Sequence, residues 1–75
     1  METTTLDGFG GDVIVTEGMI DGRTGERIYG VFATKEDAAS PDADNLSLGS
    51  VGHRVLTDEQ KAMARRNTDA LAGEA

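Results

Sequence analysis

Read from the first residue, the apolar positions change rhythm several times. Residues 13–20, VIVTEGMI, open with three consecutive β-branched residues and then mix polar with apolar, which is the pattern of a strand. Residues 26–34, ERIYGVFAT, alternate: Ile28, Gly30 and Phe32 fall on one side, and Tyr29, Val31 and Ala33 on the other. The GRTG between them reads as a hairpin tip built on a type I turn, with a glycine able to adopt positive φ.

Pairing Asp21 with Glu26 keeps the faces of this hairpin distinct. Met19 then opposes Ile28 and Val15 opposes Phe32 on one face. Gly18 opposes Tyr29 and Thr16 opposes Val31 on the other, with the tyrosine ring covering the bare glycine. A slip of one residue would mix the two faces.

The remaining segments carry weaker rhythms. TKEDAAS at 34–40 begins with Thr34 and has Asp37 three residues on, enough for one capped helical turn before Pro41 stops it. SPDADN at 40–45 reads as a loop. Within LSLGSVGHRVL at 46–56, residues 51–56 are expected as a short third strand, with an extended linker as the alternative. Thr57 then opens a capping box with Gln60, and 58–72 is rich in helix formers, with Gly73 placed as a stop. The apolar face of that helix is thin: Met63, Ala70 and Leu71, with Ala62 and Ala64 as small fillers.

These elements predict a small α+β domain over 13–75, with a β-hairpin, a short third strand and a C-terminal helix. The Gly- and Thr-rich stretch 1–12 is expected as a flexible arm anchored by Leu6 and Phe9.

Composition changes the picture mainly by thinning the core. Leu, Ile, Val and Phe together occupy 15 of 75 positions, and the net charge is −7. That balance lies at the border where a chain of this size struggles to fold alone, which favours oligomerisation or folding against a larger protein partner. The charge is uneven. Ten acids precede residue 46 against Arg23, Arg27 and Lys35, whereas the remainder is balanced. An acidic surface argues against direct nucleic-acid or anionic-membrane binding and suits a basic partner. There is no cysteine, and no apolar run approaches the roughly 20 residues of a membrane span. The N-terminus does not resemble a secretory signal. The expected setting is therefore the cytoplasm, or a particle assembled inside the cell.

Candidate chemistry is sparse. DADN at 42–45 starts like a calcium loop, but Leu46, Ser47 and His53 occupy positions that need an oxygen ligand, a glycine and a glutamate. GFGG and GSVG lack the spacing of a phosphate or dinucleotide loop. His53 is the only histidine and has no cysteine or recognisable serine partner, so it reads as a packing residue. NLS at 45–47 matches a glycosylation pattern without a secretory context. No catalytic, metal or cofactor site is expected.

The function expected is a non-enzymatic accessory subunit of a larger assembly. An excess of Arg over Lys, with much Ala, Gly and Asp, suggests a high-GC prokaryotic or phage source. The alternative is an acidic inhibitor that enters the basic groove of a target, imitating nucleic acid. Partner contacts are expected on the hairpin face at Tyr29 and Val31, or on the helix at Lys61, Met63, Arg65, Arg66 and Leu71. The hairpin edges are expected to accept an added strand.

Overall fold

The computed structural model describes residues 1–74, omitting the side chain of Glu74. Four strands form one antiparallel sheet in sequence order: β1 (Thr4–Thr5), β2 (Asp12–Ile20), β3 (Arg27–Phe32) and β4 (Gly49–Gly52). Two short helices, α1 (Lys35–Ala39) and α2 (Ala43–Leu46), join β3 to β4. A single 3-10 turn, His53–Val55, leads into the long helix α3 (Asp58–Glu74).

The hairpin forms where expected, and GRTG is its tip. Asp21 and Glu26 close the loop through Asp21 N donating to Glu26 O at 2.8 Å. Gly25 N donates to Asp21 O at 2.8 Å, and Gly25 takes φ of 75°, a conformation that favours glycine. Arg23 N donates to the Asp21 carboxylate at 2.8 Å, completing an Asx turn.

The expected register holds only at that end. Ile20 faces Arg27, but between Glu17 and Ile20 the pairing shifts by one residue. Beyond the shift Glu17 faces Tyr29, Thr16 faces Gly30, Val15 faces Val31 and Ile14 faces Phe32. The expected pairings Gly18–Tyr29, Thr16–Val31 and Val15–Phe32 are therefore corrected. The physical reason is a bulge at Gly18. A Cβ there would stand 2.7 Å from Ile28 O, so only glycine allows the two backbones to approach so closely. Arg27 Nη1 donates to Gly18 O at 2.6 Å and fixes the irregularity. Aromatic cover of glycine does occur, at other positions: the Phe32 ring lies against Gly30, and the Phe9 ring against Gly49.

The shifted register decides the faces. Val13, Val15, Tyr29 and Val31 share one face and join Leu6, Leu56 and Ala64 in the core beneath α3. Ile14, Thr16 and Phe32 lie on the opposite face and are also buried, at the end where α1 meets β2 and β3. VIV is thus buried on both sides, which explains its unbroken β-branched run.

Three more expectations are refined. The segment 1–12, expected as a flexible arm, supplies β1, which pairs Thr4 with Val13 and Thr5 with Asp12, and it buries Leu6 in the core. The third strand comes earlier than 51–56, at Gly49–Gly52, and residues 53–55 turn instead. The loop expected at 40–45 winds into α2, with Asp42 N donating to the Ser40 hydroxyl at 3.0 Å. The capped turn at 34–40 forms as read, with Thr34 Oγ1 accepting from Asp37 N at 3.2 Å. The capping box is present in both directions: Gln60 N donates to Thr57 Oγ1 at 3.1 Å, and Thr57 N donates to Gln60 Oε1 at 2.9 Å. Gly73 does not stop the helix. It has no positive φ, and α3 continues to Glu74.

Candidate functional site

The helix residues expected to meet a partner are engaged within the chain. Arg66 donates from Nε and Nη2 to the Glu2 carboxylate at 2.6 and 2.7 Å, and from Nη2 to Glu59 at 2.9 Å. These bonds hold the Glu2 carboxyl below the usual carboxylate range and raise the Arg66 guanidinium. Arg65 lies 3.6 Å from Glu17 and 3.5 Å from Asp69, and Lys61 lies 3.7 Å from Asp58. Met63 and Leu71 are half-buried. The basic patch is therefore turned toward the chain's own acids, Glu2 and Glu17 from the N-terminal half among them. On the sheet, Tyr29 and Val31 are enclosed in the core, which removes them from the surface proposed for a partner.

α3 is held by a polar seam that its apolar pattern did not reveal. Strand β2 extends well past the two residues of β1, so the odd-numbered backbone groups of β2 on that side lack a strand partner. Side chains of α3 supply one. Asn67 Nδ2 donates to Val15 O at 3.1 Å, and Glu17 N donates to Thr68 Oγ1 at 2.8 Å. Asn67 also accepts from Glu2 N at 2.9 Å and donates to Glu2 O at 3.0 Å. One turn or two earlier, Gln60 Nε2 donates to Thr4 Oγ1 at 3.1 Å. Gln60, Ala64, Asn67 and Leu71 are spaced by three and four, so the helical periodicity was visible. Its polar members concealed that this is the docked face.

Part of the second face of the sheet, away from α3, remains open beyond the end that α1 covers. A groove of about 290 Å³ runs across it, floored by Gly18, Ile28, Gly30 and Phe32 and bounded by Met19, Asp44, Ser47 and Ser50. Glycine at 18 and 30 leaves the backbone bare, and the Phe32 ring forms an apolar wall. Asp44 is the one ionisable residue among those lining it. Met19 is 74% exposed, and Ile20, Leu46 and Leu48 are also exposed. These are large apolar side chains left in water by a chain that has few of them.

A second cavity, of about 200 Å³, lies at the hairpin tip between Asp21, Thr24, Arg27 and Gly52. Here Glu26 gathers two side chains from the 3-10 turn: His53 Nδ1 lies 2.7 Å from Glu26 Oε2, and Arg54 Nε 3.4 Å from the same oxygen. A nucleophile–base pair needs a hydroxyl or thiol within reach of the imidazole. Thr24, the one hydroxyl residue lining this cavity, accepts through Oγ1 from Glu26 N at 3.3 Å. The cluster ties the tip to residues 53–54, which directly follow β4. Among the described residues no group of three or more histidines, cysteines or acids is placed to hold a metal ion. Among them, too, no helix is long and apolar enough to cross a membrane. Comparison with protein-family models, with curated proteins and with solved structures finds no match for this chain.

Proposed function

We propose that this chain is a non-enzymatic protein-binding subunit, an accessory structural or assembly component that meets a larger protein partner with the second face of its sheet. The observation that carries this reading is the groove floored by Gly18, Ile28, Gly30 and Phe32 with Met19 exposed at its margin. An exposed methionine at the margin of a concave, bare-backbone floor favours docking of another protein's side chains. The thin core supports the same reading, because binding would add to a small folding free energy.

The test is affinity capture from the native source with wild type and with the double variant Met19→Glu, Leu48→Glu. Both side chains are largely in water, so the variant keeps the wild-type circular dichroism and Tm. A partner retained by wild type and lost by the variant supports the reading. Equal recoveries refute it.

The alternative of an acidic inhibitor draws on the segment 35–46 that forms α1 and α2, which carries Glu36, Asp37, Asp42 and Asp44 with Lys35 as its single basic residue. Under that reading capture survives the double variant and falls steeply as salt rises from about 0.05 to about 0.5 M.

A further inference from the structure

The groove on the second face of the sheet is apolar at its floor and polar in part of its lining. Gly18 and Gly30 leave backbone bare there, and the Phe32 ring leans over Gly30, where a Cβ would stand 3.1 Å from it. Three polar side chains line the groove: Asp44 of α2, Ser47 just beyond α2, and Ser50 of β4. Ser50 pairs with Gly30, and Gly30 with Thr16, so the Ser50 side chain stands on the same face as the floor. All three offer oxygen atoms that the chain itself does not use. Among the described residues the Asp44 carboxylate enters no ion pair or hydrogen bond, and neither serine hydroxyl has a partner. Lys61, Arg65 and Arg66 pair with other acids, Arg54 pairs with Glu26, and Arg27 donates to Gly18 O. An exposed carboxylate needs no partner, but this one borders an apolar concavity in which an incoming cation is partly shielded from water.

We propose that the groove takes an arginine of the partner protein together with an adjacent apolar side chain, an assignment that rests on the docking reading above. The guanidinium meets Asp44, with Ser47 and Ser50 as further acceptors. The arginine stem and its apolar neighbour lie over Gly18 and Gly30, against Phe32 and Met19. Arginine suits this lining better than lysine. Its planar fork delivers several N–H groups to separate oxygens and is weakly hydrated, whereas an ammonium is a compact, strongly hydrated charge.

Size and charge both select this occupant. A volume of about 290 Å³ lies at the low end of small-molecule pockets and suits one or two side chains. An acidic segment would be repelled by Asp44 and by the net charge of −7, and a second copy would bring that same charge to the groove. A purely apolar segment would leave Asp44 partly desolvated with no cation beside it. A cationic segment with an apolar neighbour matches both the floor and the lining.

The probe is the blocked dipeptide Ac-Leu-Arg-NH2, titrated to about 20 mM into isotope-labelled protein at about 0.15 M salt and read by amide chemical shifts. The amides of Gly18, Gly30, Ser47 and Ser50 should move along one saturating curve with a Kd in the millimolar range. Ac-Leu-Lys-NH2, Ac-Leu-Gln-NH2 and Ac-Leu-Glu-NH2 should each bind at least about threefold more weakly. Asp44→Asn should weaken the arginine peptide by about three- to tenfold. Glu36→Gln removes the same charge outside the groove and should leave the affinity unchanged. Asp44 and Glu36 are both exposed, so both variants keep the wild-type circular dichroism. A lysine, neutral or acidic peptide that binds as well as the arginine peptide overturns the proposal. So does Asp44→Asn that binds like wild type, or Glu36→Gln that weakens binding equally. Groove amides that no peptide moves overturn it too, as do amides that shift with protein concentration alone, the mark of a second copy. Capture that ignores Met19→Glu, Leu48→Glu removes the docking reading itself. Peptide results that fail while that variant abolishes capture remove only the arginine.

Discussion

Asn67 is a polar residue doing the work of a missing strand, and replacing it should cost more than its surface position in the sequence pattern suggests. It is 1% exposed and makes three bonds: to Val15 O, to Glu2 O and from Glu2 N. Asn67→Ala strands the carbonyl of fully buried Val15, at about 1–3 kcal/mol. Glu2 is exposed, so water replaces most of what its two groups lose, and they add about 1 kcal/mol together. The expected loss is about 2–4 kcal/mol, against the roughly 4–11 kcal/mol available to a chain of this length.

Urea denaturation followed by circular dichroism reads this directly, since an m value near 1 kcal/mol/M turns the loss into a midpoint shift of about 2–4 M. Asn67→Asp separates hydrogen bonding from shape. It keeps the volume, removes both donors, and turns a carboxylate toward two carbonyl oxygens. At neutral pH it should destabilise at least as much as Asn67→Ala. If Asn67→Asp lies within about 0.5 kcal/mol of wild type, the seam is held by shape alone and the reasoning fails.

Three further outcomes follow from the same geometry. Arg66 holds the Glu2 carboxyl below its ordinary range, so the pair adds stability above the unfolded carboxylate value of about 4.3, and this is lost as pH falls through the depressed folded value. Tm of wild type should therefore exceed that of Glu2→Gln at neutral pH, with the gap closing in acid; a gap independent of pH would refute the assignment. Gly18→Ala should cost about 1–3 kcal/mol in urea melts because its Cβ meets Ile28 O, whereas Gly22→Ala, with open space around it, should change stability by less than about 1 kcal/mol. Thr57→Ala should lose about 1 kcal/mol by breaking the capping box, and thermal melts that match wild type would mean the observed bonds carry no net stability.

Much of the fold was legible in the sequence because its signals are local. The β-branched run, the alternation from Glu26, the glycine-bounded tip and the Thr57–Gln60 capping box each act within a few residues, and each formed where it was read. The same holds for the single turn capped by Thr34.

The errors concern contacts between distant segments. A uniform hairpin register was the simplest assumption, but the bulge at Gly18 shifts it and sends Tyr29 and Val31 into the core rather than onto a surface. Periodicity over 60, 64, 67 and 71 was present, yet an asparagine reads as solvent-facing until a strand edge with unpaired groups is known to lie beneath it. The basic helix residues likewise read as a patch until their acids, up to 64 residues away, are brought beside them. Composition by itself determined that the core would be thin. Only the tertiary structure decided where that thinness shows: in a groove on the second face, because which backbone groups and apolar side chains stay open depends on everything packed around them.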